Sequence, residues 1–261
     1  MKNIVAPLRR LNSKLNSKFS RLSSPKDSEK PAQPQTTTTT TTNNNNNNMS
    51  IQTELNAVSE QFSQAPAEIR DPIGAAAGDF AASFNRGSAV QPGQKLPAFT
   101  LPNALGKDVS STELLSKGPI LITFYRGGWC PYCNVVLHHL QANLKEFEAK
   151  NVTLVAISPE TPDTSLTTAE KAGLAFPVLS DKGNKFADQL GLVFKQPESV
   201  RPAFEKMGLD FAQRKGENTL DIPVPATLLV DQTGTVRNTF VEPDFTTRLD
   251  PKDALKWVNA L

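Results

Sequence analysis

Cysteine is scarce in this chain: two residues in 261, at positions 130 and 133. A secreted framework held by disulfides needs several pairs, so that class is set aside. A chain of this length buries enough apolar surface to fold without covalent staples. Histidine is equally rare, with His138 and His139 as the whole supply. They follow Cys133 by five and six residues on a helical pattern, so neither stacks over it, and a four-ligand zinc site cannot be assembled. Both read as helix-surface residues. Asn134, not histidine, follows the second cysteine, which removes c-type haem attachment. No apolar run reaches the roughly 18 residues that suggest a membrane-spanning helix. The net charge is only +2, too small for an electrostatic nucleic-acid binder. Nothing in the pattern calls for a metal or a cofactor.

The charge is unevenly spread. Residues 1–30 hold eight Lys/Arg and two acids, net +6, which leaves −4 for the rest. Lys2, Arg9, Arg10, Lys14, Lys18 and Arg21 all precede the first acid, Asp27, and Leu8, Leu11, Leu15 and Leu22 recur near helical spacing. An acid-poor, amphipathic, Arg- and Ser-containing start is the pattern of a mitochondrial transit peptide, or else of a basic tail or a weak membrane-surface helix. Residues 23–48 run through Pro25, Pro31 and Pro34 into seven Thr and six Asn, a composition that cannot bury apolar surface and predicts disorder. Met49 follows at once. Initiation there would give a cytoplasmic form without the basic leader beside a mitochondrial one.

What is present is concentrated in Phe124-Tyr125-Arg126-Gly127-Gly128-Trp129-Cys130-Pro131-Tyr132-Cys133. The apolar run 119–125 leads into it and predicts a buried strand. Val136, Leu140, Leu144 and Phe147 follow at helical spacing and predict a helix to about Ala149. Pro131 suits the first helical position, where its missing N–H costs nothing. Cys130 then falls at the N-cap and Cys133 one turn in. Free N–H groups at a helix start stabilise a thiolate, the reactive form of cysteine. Residues three apart on one turn stand roughly 5–6 Å apart at Cβ, close to what a disulfide requires. The pair therefore suits cycling between dithiol and a Cys130–Cys133 disulfide. Trp129 reads either as a shield over the thiolates that shapes the substrate surface or as a packed loop aromatic. Glu160 and Asp181 are candidate proton acceptors that neither spacing nor neighbours single out, and they are read by preference as solvated loop carboxylates.

The rest of the chain frames that stretch. Residues 49–90 predict an accessory pair of helices, with Ile51, Leu55, Val58 and Phe62 on one face and Ile69, Ile73, Phe80 and Phe84 on the next; packing on the domain is preferred over a partner surface. Residues 91–261 carry short strands at 99–101, 152–157, 176–179, 224–231 and 235–240, helices at 168–172, 185–190 and 251–261, and an insertion at 192–221 whose residues 200–211 predict one helix bearing Phe204, Met207 and Phe211. The loop 158–162 is expected beside the cysteines, because ligands in open α/β sheets sit at the carboxyl edge. Strand–helix alternation followed by a hairpin predicts an α/β domain with a mixed sheet.

The segment from about Gln91 to Leu261 resembles the peroxiredoxin-like branch of the AhpC/TSA (thiol-specific antioxidant) family, within the thioredoxin-like superfamily. The resemblance rests on Gly93-Gln94-Lys95-Leu96-Pro97 with Phe99-Thr100-Leu101, on Phe124 through Cys133, on Val155-Ala156-Ile157-Ser158-Pro159, on Phe176-Pro177-Val178-Leu179-Ser180-Asp181, and on Val224 through Asp231 followed by Gly234. It implies a thioredoxin-like fold, with a mixed central sheet flanked by helices, and reduction of peroxides by a cysteine thiolate. By alignment Cys133 takes the peroxidatic place. Arg126 and Cys130 stand where the family usually has Pro and Thr. The family's active-site Arg position is held by Pro225, so Arg126 is the candidate guanidinium. Pro225 is also the candidate for the cis-proline that faces the cysteines in this fold.

Three functions follow. The first is a thiol peroxidase for hydrogen peroxide or alkyl hydroperoxides, with Cys133 attacking, Cys130 resolving, Arg126, Trp129 and Pro225 positioning the substrate, and thioredoxin or another dithiol as reductant. The second is a protein thiol–disulfide oxidoreductase with Cys130 as nucleophile. The third is a non-enzymatic redox sensor or binding module. As to the leader, amino-terminal sequencing of the native protein is expected to find a start at Met49; finding only starts upstream of it would remove the internal-initiation reading.

Overall fold

The structure is a computed structural model and describes residues 49–261. The basic leader and the Thr/Asn linker, with the targeting role expected of them, lie outside the described residues.

In chain order, α1 (Ile51–Ser63) and α2 (Ala67–Ser83) precede a hairpin of β1 (Thr100–Pro102) and β2 (Asp108–Ser110). Then come α3 (Ser111–Lys117), β3 (Ile120–Phe124), α4 (Pro131–Ala142), α5 (Leu144–Glu148), β4 (Thr153–Ser158), α6 (Pro162–Ala172), β5 (Val178–Ser180) and α7 (Lys185–Gln189). The insertion holds β6 (Val193–Phe194), α8 (Arg201–Lys206), α9 (Phe211–Lys215) and β7 (Ile222–Pro223). The chain closes with β8 (Ala226–Val230), β9 (Val236–Val241) and α10 (Pro251–Asn259).

The main sheet has the order β5-β4-β3-β8-β9. β3 runs parallel to β4, and β4 to β5, whereas β8 is antiparallel to both β3 and β9. This is the mixed α/β sheet that the alternation predicts. All five residues of β3 are buried, as are those of β8. Continuous apolar runs are what strands covered on both faces need. Ile120, Ile122 and Phe124 face a core with Phe99, Phe186 and Leu228. Leu121 faces the other core, with Leu137, Phe147 and Leu154. Helix α4 is thereby fixed over the sheet with its amino terminus at the carboxyl ends of β3 and β4.

The accessory helices pack on the domain. Ser50 caps α1 by accepting from the Thr53 N–H at 3.2 Å. Ile51, Leu55 and Val58 of α1 join the α4 core, and α2 lies along α8. Two expected helices are each interrupted. The helix from 131 breaks at Asn143, whose side-chain amide donates to the His139 carbonyl at 2.7 Å and competes with the helical ladder. The helix expected at 200–211 is α8 alone up to Lys206, and after a turn α9 begins at Phe211, because Asp210 starts a new helix by accepting from the Gln213 N–H at 2.9 Å. The β6–β7 pair was not expected, since two-residue strands, one containing proline, leave no periodic signal.

No helix of the described residues is long and apolar enough to cross a membrane. Leu137 is fully buried between α4 and the sheet. Leu137→Ala is expected to lower unfolding stability by about 2–5 kcal/mol, through lost transfer energy and the cavity left behind. Urea titration checks this, with an unchanged slope showing that the loss is one of native-state stability.

Candidate redox site

The site begins where β3 ends. The Tyr125 N–H still donates to the Ile157 carbonyl at 3.0 Å, extending the ladder, and the chain then leaves the sheet. Cys130 is the N-cap of α4 with extended backbone, Pro131 opens the helix, and the Asn134 N–H closes its first turn on the Cys130 carbonyl at 3.1 Å. Cys133 lies in that first turn, as the spacing predicts.

The intervening loop is tightly held. Glu160, from the loop after β4, accepts from the Gly128 N–H at 2.9 Å and is paired with Arg214 of α9, whose Nε donates at 2.8 Å. Asn134 returns a hydrogen bond to the Gly128 carbonyl at 3.1 Å. A Cβ at Gly128 would meet Thr168 Oγ1 at 2.2 Å, and one at Gly127 would meet Trp129 Nε1 at 2.6 Å with φ at +134°. Here the two glycines serve close approach rather than mobility. Glu160 and Asp181 are not solvated carboxylates: both are buried. Burial pushes the Glu160 carboxyl up, opposed by the Arg214 charge and the Gly128 N–H. Asp181 accepts from the Phe186 and Ala187 N–H groups at 3.0 and 2.9 Å, so its role is in the α7 terminus. Neither carboxylate is hydrogen-bonded to a cysteine.

Both cysteines are reduced and almost wholly buried, at 0% and 1% exposure. Arg126, also buried, donates from Nη2 to Cys130 Sγ at 3.1 Å. Arg248, in the segment between β9 and α10, points Nη2 at Cys133 Sγ at 3.8 Å. Among the described residues neither guanidinium pairs with a carboxylate. Each instead faces a cysteine sulfur, where its charge favours the thiolate form. Burial alone pushes the Cys130 thiol up, but a hydrogen bond from the Cys133 thiol, the charges of Arg126 and Arg248 and the Arg126 hydrogen bond bring it well below its ordinary value. Burial, the hydrogen bond given to Cys130 and the charge on Cys130 push Cys133 well above its ordinary value. The pair thus loses one proton easily and the second with difficulty.

A small cavity ends on Cys133, with room for about one water-sized molecule. Tyr125, Pro225, Phe240, Arg248 and Leu249 form much of its wall. Pro225 is placed there by the sheet: Phe124 pairs with Ala226, so the residue before β8 stands beside the cysteine loop. It follows a trans bond, since the described residues contain no cis peptide, which corrects the cis expectation. Arg126 and Trp129 also come to the cysteines. The Arg126 guanidinium carbon stands 5.4 Å from the Trp129 ring centroid, and Trp129 is wedged edge-on against Phe204 and Phe211 of the insertion. Trp129 is therefore a packed loop aromatic beside Arg126, and neither of the two lines the cavity on Cys133. His138 and His139 are not on the surface. His138 is buried, burial pushing it down to about 4, and His139 Nε2 lies 3.4 Å from Glu54 Oε1 of α1.

Sequence reasoning missed Arg248 and Phe245. Arg248 is 115 residues from Cys133, and Phe245 holds the Arg126 guanidinium carbon 4.4 Å from its ring centroid. No local pattern marks either; only the pairing of β8 with β9 brings their segment back over the cysteines.

Comparison with known proteins bears on the family and the fold. A model of the AhpC/TSA family matches residues 92–239. A putative peroxiredoxin of Buchnera aphidicola subsp. Schizaphis graminum is 34% identical over 105 residues, covering 40% of this chain and 66% of that protein. A putative peroxiredoxin of Mycobacterium tuberculosis is 37% identical over 92 residues, covering 35% and 58% respectively. The chain thus spans just under two thirds or less of these relatives. The crystal structure of peroxidoxin BcpB from Mycobacterium tuberculosis shares the fold, with a TM-score of 0.52 at 23% identity over 66% of this chain and 98% of that one.

The coupled thiols make a direct prediction. Thiolate absorbance in the ultraviolet is expected to show one thiolate per chain at neutral pH, gained as pH rises through a midpoint well below the ordinary thiol value, with the second appearing only at strongly alkaline pH. Two thiols titrating together near the ordinary value would contradict the electrostatics described.

Proposed function

Since this chain belongs to the AhpC/TSA family, we propose that it is a thiol peroxidase that reduces hydrogen peroxide or a small alkyl hydroperoxide through Cys133 and Cys130. The observation that carries this reading is the cavity on Cys133: it admits a water-sized group, the size of a hydroperoxide head, beside the guanidinium of Arg248, which no carboxylate pairs among the described residues.

The division of labour follows from the two cysteines' surroundings. Cys130 holds the resting thiolate against Arg126, while Cys133 faces the cavity and donates its thiol proton to Cys130. As peroxide enters, that proton passes to Cys130 and the Cys133 sulfur attacks the terminal oxygen. The O–O bond breaks, Cys133 becomes a sulfenic acid, and the leaving alkoxide or hydroxide takes up a proton, yielding alcohol or water. Cys130, deprotonated again, attacks the sulfenic sulfur and expels hydroxide, which leaves as water once protonated. The product is the Cys130–Cys133 disulfide, formed within one helical turn. Arg248 supplies N–H donors where charge develops on the peroxide oxygens, as electrostatic stabilisation requires.

An external dithiol, thioredoxin or another, then reduces the disulfide by exchange and is itself oxidised. The segment after β9, which brings Arg248 and Leu249 over Cys133, has to yield for that step. Exchange with protein disulfides as the primary activity has less support, since both cysteines are buried, and the sensor reading has no observation of its own.

Single-turnover peroxide consumption with sulfenic-acid trapping tests the proposal. Cys130→Ser is expected to consume one equivalent and retain a trappable sulfenic acid, because both guanidinia then serve Cys133. Cys133→Ser is expected to react at least tenfold more slowly than wild type. Equal rates for Cys133→Ser and wild type would move the attack to Cys130. Rates no faster than a free thiol in every variant would end the peroxidase reading.

A further inference from the structure

Arg126 is a buried cation with no carboxylate partner, and its Nε has no hydrogen-bond partner within reach. Apart from the two cysteine sulfurs, with Cys130 at 3.1 Å, what holds it is aromatic. Its guanidinium carbon lies 4.4 Å from the Phe245 ring centroid and 5.4 Å from that of Trp129. A guanidinium over an aromatic face is attracted by the ring quadrupole, and the attraction grows when the pair is out of water.

Each aromatic wall is held by a different part of the chain. Trp129 is fixed by Phe204 and Phe211 of the insertion. Phe245 is fixed from the amino-terminal side. Phe62, at the end of α1, meets it edge-on with centroids 6.3 Å apart and planes at 86°. Tyr132 meets it at 5.4 Å and 79°, with its hydroxyl 3.2 Å from Ser59 Oγ of α1. Arg86 clips the same segment by donating to Glu242 at 2.9 Å and to the Val241 carbonyl. Phe62 and Arg86 precede the family-matched residues 92–239, and Phe245 follows them.

We infer that α1 is a working part of the redox site: Phe62 positions Phe245, and Phe245 positions the Arg126 guanidinium on Cys130. The chain of contacts runs from an accessory helix to a reactive sulfur in three steps. Phe62 and Phe245 are positioning residues; neither touches the sulfur. The inference rests on the thiolate assignment of the proposed function but not on peroxide turnover.

The test therefore reads thiol ionisation in the full chain, as the midpoint of iodoacetamide reactivity against pH. Phe245→Leu keeps bulk and removes the ring quadrupole; its midpoint is expected to rise by about one pH unit. Phe62→Leu, at a half-buried position, is expected to shift the midpoint less but in the same direction. Phe245→Tyr, which restores a ring face, is expected to stay near wild type. Arg126→Met serves as the reference and should rise most. An unmoved midpoint in Arg126→Met overturns the thiolate assignment and this inference with it. A shift in Arg126→Met with none in Phe245→Leu or Phe62→Leu overturns the positioning role alone. Equal shifts in Phe245→Leu and Phe245→Tyr also overturn it, because general loosening rather than ring electrostatics would then be the cause.

Discussion

A guanidinium removed from water and given no carboxylate is the constraint around which the site is built. Charged groups are costly to bury unless they are paired and hydrogen-bonded. Arg126 meets that cost with the Cys130 sulfur at 3.1 Å and with ring faces on two sides. A carboxylate at Arg126 would satisfy the cation and leave the sulfur protonated. Glu160 is close by, yet it is occupied by the Gly128 N–H and by Arg214. That pair has a second effect: it keeps this buried acid from neutralising Arg126.

The local part of this arrangement was legible in the residues. Proline after Cys130, an apolar run before it and helical spacing after it place a dithiol on a first helical turn, and each of these signals acts over a few residues. The buried strands β3 and β4 were legible for the same reason, being uninterrupted apolar runs. What escaped depends on the sheet's closing hairpin. Arg248 and Phe245 are set over the cysteines by the register of β8 against β3 and of β9 against β8, which no window of sequence records. Glu160 is similar. Its burial is tolerated because Arg214, 54 residues on, reaches it from the insertion. The histidines looked external only because nothing in the helix announces that α1 lies across them. Pro225 stands where the register predicts, although its bond is trans.

The accessory helices carry more weight than an apolar stripe suggests. Ile51, Leu55 and Val58 explain why α1 stays in place, which would suffice for a structural appendage. The same helix also meets Tyr132 and His139 of the cysteine helix and Phe245, which packs on Tyr132. The domain matched by the family and the segments on either side of it therefore make one continuous aromatic and polar layer around the reactive turn.

The two arginines at the sulfurs, neither of them paired with a carboxylate, also bear on the reduction potential. A site that holds a thiolate below its ordinary ionisation range spends free energy on the dithiol form, about 1.4 kcal/mol for each pH unit, equivalent to about 30 mV for a two-electron couple. Oxidation removes that anion while both cations stay, so the disulfide form carries the electrostatic burden. For the proposed Cys130–Cys133 couple this is a bias towards the oxidising end of the scale, which a donor of moderate reducing power would suffice to return to the dithiol.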